Sequence, residues 1–121
     1  MIELILDGNI PSKKNSRVNT RSGRSFPSAD FTRWQSSAIW QIKQQKRKLF
    51  VKPVRLEVVV YFGTDVRADL DNRVTSILDM LKEAMIIQDD KWQYVPEIYA
   101  KAEYRKRQPG ALIRLIEIEK Q

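Results

Sequence analysis

Residues 54 to 62, VRLEVVVYF, alternate with a period of two, so that Val54, Leu56, Val58, Val60 and Phe62 share one face. An extended strand places successive side chains on opposite faces, so this stretch reads as a strand with one side in a core. An apolar strand face needs a covering layer. Two helical-period segments can supply it. Phe31, Trp34, Ala38 and Ile42 recur at helical spacing in a segment opened by Pro27 and Ser28 and running to about Lys48. Val74, Ile77, Leu78, Leu81, Ala84 and Met85 form a second stripe over about 72 to 85. Residues 2 to 7, IELILD, read as a strand closed by Asp7-Gly8-Asn9. Residues 97 to 107 read as another, with Ile98, Ala100, Ala102 and Tyr104 on one face. The turn Gln108-Pro109-Gly110 then joins it in a hairpin to a last strand, ALIRLIEIE, at 111 to 119. The order β-α-β-α-β-β predicts a single α+β domain over residues 1–121, a mixed sheet with two helices packed on it.

Two absences narrow the chemistry. The chain has no Cys, which excludes disulfides, a thiolate nucleophile and Cys-bound zinc. It has no His, which excludes a Ser-His-Asp triad and a His general base. Hydrolysis by such a chain has to rest on carboxylates, Lys, hydroxyls or a hard metal ion. There is no apolar run of bilayer length and no basic stretch followed by a long apolar one at Met1-Ile2-Glu3-Leu4, so the expectation is a cytoplasmic protein with no membrane partner.

The formal net charge is +7. Ten of the Lys and Arg residues but only three acids lie in residues 1 to 50, and the twelve basic and twelve acidic residues that remain cancel. A positive field concentrated in one half points to a polyanion, with nucleic acid first and an anionic membrane surface second. The densest part is PSKKNSRVNTRSGRS, residues 11–25, expected to be a flexible basic loop. Its Lys13, Lys14, Arg17, Arg21 and Arg24 are the candidate DNA contacts. Trp34 and Trp40 could stack on exposed bases, although a helical Trp is more often core or interface.

The candidate chemistry lies in Arg67-Ala68-Asp69-Leu70-Asp71-Asn72, between the strand at 54–62 and the second helix. In an extended segment Asp69 and Asp71 face the same way, which suits shared coordination of one hard cation. The plainer reading is that Asp71 or Asn72 caps the following helix. Arg67 and Arg73 favour the former, because a metal site on a phosphate backbone uses cations to position the anion. A second acidic pair, Asp89-Asp90, is followed by Lys91 and supplies a third carboxylate and another cation, or else an ordinary turn.

The stretch ADLDNRVTSILDMLKEAMIIQDDKWQ resembles the signature of the RusA family of Holliday-junction resolvases, and the opening G-x-x-P-S-K-K-N-S is similar to that family's N-terminal pattern. The likeness spans nearly the whole chain in element order and is sharpest at 68 to 93. It implies Asp69, Asp71 and Asp90 as catalytic, Mg²⁺-binding acids, with Mn²⁺ as the alternative ion. It also implies a homodimer that cuts four-way DNA junctions symmetrically. The family often carries a functional Lys where this chain has Thr75; Arg73 and Lys91 are the cations available to replace it. The competing functions are a non-catalytic basic nucleic-acid-binding module and a nuclease for other branched or flap DNA.

A fourteen-residue helix is about 21 Å long. Asp71 stands at the start of the helix expected over 72 to 85, and Asp90 lies five residues past its end. Five extended residues span at most about 18 Å, so Asp90 could return to Asp71 only by a straight run back along the helix. Antiparallel pairing of two such helices across a two-fold axis brings the end of one beside the start of the other. The expectation is therefore an active site shared between protomers.

Overall fold

The computed structural model describes residues 1–12, 17–46, 48–65 and 67–119. The elements are β1 (Ile2–Asp7), β2 (Arg17–Asn19), β3 (Ser25–Pro27), α1 (Ala29–Gln45), β4 (Val54–Phe62), α2 (Leu70–Glu83), β5 (Glu97–Tyr104) and β6 (Gly110–Glu117). Four strands form one sheet in the order β1-β6-β4-β5, in which β4 and β5 run parallel and the other pairs antiparallel. The alternation in β4 is realised: Val54, Leu56, Val58 and Val60 are buried. They pack with Leu4 and Leu6 of β1, Ile113 and Leu115 of β6, Ala38 and Ile42 of α1, and Ile77 and Leu81 of α2. This is the expected α+β layer, a mixed sheet with both helices on it.

The expected hairpin between the last two strands does not form. β6 lies on the far side of β4 from β5 and pairs with β4 and β1. The physical reason is in the side chains. β6 buries Ala111, Ile113 and Leu115 and half-buries Leu112 and Ile116, so it belongs where both neighbours are strands. β5, with Lys101 and Glu103 on one face, is exposed along its whole length and sits at the edge. The connection therefore has to cross the end of β4. It does so over Gly63, where an added Cβ would lie 2.9 Å from Pro109 Cδ.

The helices differ from expectation at their ends. α1 is capped by Ser28, whose Oγ accepts from the Phe31 amide at 3.1 Å, and it stops at Gln45, three residues short of Lys48. Of its stripe, Phe31, Ala38 and Ile42 are buried and Trp34 is half-buried on the core; Trp40, outside the stripe, is exposed. Gln45 takes both polar groups of Ile5, its Oε1 accepting from the amide at 2.8 Å and its Nε2 donating to the carbonyl at 2.6 Å; Gln41 Oε1 accepts from the Asp7 amide at 2.9 Å. These glutamines satisfy the free edge of β1 in place of another strand. α2 begins at Leu70, two residues before the expected start, because Leu70 itself packs on the core.

Candidate active site

Asp69 and Asp71 open α2 at the end of β4. Because the helix starts early, the pair is not extended as expected: Asp69 takes the N-cap position, with extended backbone at φ −81° and ψ 123°, and Asp71 lies in the first turn. Acids at the positive pole of a helix are favoured for stability alone. Asp69, however, makes no side-chain capping bond. Its Oδ2 accepts instead from Asn72 Nδ2 at 3.1 Å, and Asp71 Oδ1 accepts from the Asn72 amide at 2.9 Å. Asn72 thus orients both carboxylates, and the second oxygen of each has no hydrogen-bond partner among the described residues.

Arg67 and Arg73 flank the pair in sequence. Arg73 Nη1 donates to the Asp69 carbonyl at 3.3 Å, and its guanidinium lies 5.9 Å from the Phe62 ring centroid. Its buried Nε has no partner among the described residues. Arg67 is exposed on the loop leading to Asp69. Thr75 donates its hydroxyl to the Asp71 carbonyl at 3.1 Å, a helical back-bond. Sequence reasoning misses Ser76. It is buried and donates to the Pro11 carbonyl at 2.6 Å, tying the chain that leads into the basic segment to α2 one turn beyond the acids. The available signal is a polar residue between the core positions Val74 and Ile77.

The basic segment is not a plain loop. Residues 17–19 and 25–27 pair as a two-stranded ribbon apart from the main sheet, with Val18 opposite Phe26. Its tip is closed by the Gly23 amide donating to the Thr20 carbonyl at 3.0 Å and by a Thr20–Ser22 hydroxyl contact at 2.9 Å. Arg21 and Arg24 are exposed on this ribbon, and Arg17 begins it. Lys13 and Lys14 lie outside the described residues.

Asp90 is elsewhere. α2 ends with the Met85 amide donating to Lys82 and the Ile86 amide to Leu81, and Met85 takes a left-handed φ of 59°. The chain then turns to the start of β4: Phe50 donates to Ile86 at 2.9 Å and Val54 to Tyr94 at 3.0 Å. Asp90 is exposed there, at the opposite end of a fourteen-residue helix from Asp69 and Asp71. Its neighbour Asp89 is occupied. The Asp90 amide and the Asp90 side chain, and behind them Lys82 and Lys91 at 3.6 Å each, hold the Asp89 carboxyl below the usual carboxylate range. Lys91 is thus engaged at this far end and Arg73 stands at the acid pair. Among the described residues no three carboxylates gather closely enough to hold one ion.

The family described as endodeoxyribonuclease RusA matches residues 7–116. The chain belongs to the RusA endodeoxyribonuclease family. A crossover junction endodeoxyribonuclease RusA from Aquifex aeolicus is similar to it, with 24% identity over 115 residues that span 94% of this chain and 90% of that protein. A RusA-family chain is a DNA-cutting enzyme, and membership implies a divalent metal cofactor. The donors here fit that requirement in kind: Asp69 and Asp71 offer carboxylate oxygens free of other partners among the described residues, the ligands hard divalent cations prefer. No helix among the described residues is long and apolar enough to cross a membrane.

Proposed function

We propose that this chain resolves four-way DNA junctions by hydrolysing phosphodiester bonds, as a homodimer acting in the cytoplasm, with Mg²⁺ or, as the alternative, Mn²⁺. The observation that carries the reading is the exposed Asp69–Asp71 pair, set on a rigid helix start with one oxygen of each carboxylate unpaired among the described residues. In this reading Asp69 and Asp71 hold the ion together with Asp90 of the partner subunit. Asn72 fixes the direction of both carboxylates. Arg67 and Arg73 supply positive charge for the phosphate, and Arg73 takes the part that a Lys would play at position 75. Lys91 travels with Asp90 to the same shared site. Bound there, a hard divalent ion supplies Lewis acidity toward the phosphoryl oxygens and an acidified water. Lys13, Lys14, Arg17, Arg21 and Arg24 bind flanking phosphates and contribute most of the sequence-independent affinity.

The far placement of Asp90 supports the shared site. Fourteen helical residues put about 21 Å between the two ends of α2, and the turn at Met85 leads away from the helix start. A non-catalytic binding module is the weaker reading, because two unneutralised carboxylates beside the bound phosphates would oppose binding. The test is incubation with an end-labelled four-way junction, with and without Mg²⁺. Paired cuts on opposing strands are expected only with the ion. Cleavage of flaps in preference to junctions would reassign the substrate, and no cleavage of any branched DNA would overturn the reading.

A further inference from the structure

The connection from β5 to β6 begins with three consecutive cations, Arg105-Lys106-Arg107, and it closes the same end of the sheet that carries Asp69 and Asp71. It is held rigidly. The Arg105 amide donates to the Phe62 carbonyl at 2.9 Å and the Arg107 amide to the Gly63 carbonyl at 3.0 Å, while Gly8 donates to Pro109 at 3.0 Å. Arg105 also holds the loop through its side chain. Its guanidinium lies 3.9 Å from the Tyr61 ring centroid, and its Nε donates to the Gln108 carbonyl at 2.8 Å. Lys106 and Arg107 do none of this. Both are exposed and, among the described residues, in no ion pair. Arg107 has φ +58°, a left-handed conformation that favours glycine.

At the same end of the sheet lies an open groove of about 290 Å³, lined by Thr64, Arg67 and Ala68 on one side and by Glu103 and Tyr104 on the other, with neither the crossover cations nor the acid pair in its lining. It leads from Ala68, the neighbour of Asp69, to Tyr104, the neighbour of Arg105. Two acids line it as well: Glu103 is paired with Lys101 at 3.1 Å, and Asp65 is exposed. We propose that the crossover loop forms a second anchor for the DNA phosphate backbone, separate from the basic ribbon, with Lys106 and Arg107 contacting phosphates beyond the one at Asp69 and Asp71. The inference rests on the nuclease reading and adds to it a binding site on a different element.

The test is junction affinity by fluorescence anisotropy in EDTA, from about 50 to 200 mM salt, for the wild type, Arg107→Gly and the double variant Lys106→Ala/Arg107→Gly. Glycine relieves the left-handed φ, so the melting temperature should hold or rise while binding weakens. Each phosphate that the protein no longer neutralises flattens the slope of log affinity against log salt by about 0.9, so the double variant should flatten it by about 1.8 and weaken binding most at the low-salt end. Arg114→Gln, which removes a charge paired with Glu3 on the open sheet face, should keep the wild-type slope. A wild type that binds and cuts junctions while the double variant keeps its slope overturns this inference alone. A wild type that binds no branched DNA overturns both readings.

Discussion

The two ends of α2 carry the same residue types and use them differently. At the start, Asp69 and Asp71 are oriented by Asn72 and leave one oxygen each unpaired among the described residues. At the far end, Asp89 is taken up by the Asp90 amide, Lys82 and Lys91, and only Asp90 is left as an exposed acid next to it. One end thus presents two donors and the other presents one. A helix of fourteen residues separates them. Both acids lie where the helix dipole favours them, Asp71 accepts from the Asn72 amide, and Asp69 makes no capping bond of its own. The contrast is that the two acidic clusters stand at opposite ends of one rigid helix, the placement that the proposed site shared between two copies of the chain needs.

The largest effect should come from the start of the helix. Asp69→Asn or Asp71→Asn should lower cleavage by more than the ~10–100-fold typical of outer-sphere partners, while junction binding in EDTA stays the same or tightens because a repulsive charge is gone. Full activity in either variant, measured by single-turnover cleavage, would remove the first half of the comparison. Next in size, neutralising Lys13, Lys14, Arg17, Arg21 and Arg24 together should flatten the salt dependence of binding by about 0.9 for every phosphate these side chains neutralise, with no change in the metal requirement. An unchanged slope would show that the ribbon does not touch DNA.

Smaller effects separate structure from chemistry at each end. Ser76→Ala leaves the Pro11 carbonyl without its 2.6 Å donor, and it should cost about 1–3 kcal/mol in urea unfolding. It should also slow cleavage by loosening the segment that lies against the helix start. At the far end, Met85 holds a left-handed φ of 59°. Met85→Gly removes a left-handed penalty of about 1–2 kcal/mol against a smaller unfolded-state entropy cost, so it should stabilise the fold slightly and leave cleavage unchanged. A loss of activity there would mean that the turn does more than direct the chain toward Asp90.

Much of this is legible in the sequence. The period-two pattern of 54–62 locates β4, the stripes of α1 and α2 give the covering layer, and length arithmetic alone separates Asp90 from Asp71. What stays hidden follows from tertiary context. Strand partners are not written in local pattern, so ALIRLIEIE reads as paired with its sequence neighbour; only its apolar residues on both faces hint at a central strand. The expected start of α2 falls two residues late because Leu70 reads as part of an extended acid motif, while its packing on the core draws it into the helix. Arg105 to Arg107 read as the end of a strand, and the left-handed φ and crossover that make them a loop depend on Gly63 being small enough to pass beneath Pro109.

The central claim is that each active site is built from two chains, and subunit mixing tests it most directly. Asp71→Asn and Asp90→Asn chains, each inactive alone, are mixed, allowed to exchange, and assayed on a labelled four-way junction. A shared site leaves one intact centre in every mixed dimer, so single-strand nicking should return, approaching half of the wild-type cuts per mixed dimer as a rough bound. Mixed dimers that form, as shown by differently tagged chains purifying together, yet produce no nicks would contradict the shared site and place all three acids within one chain.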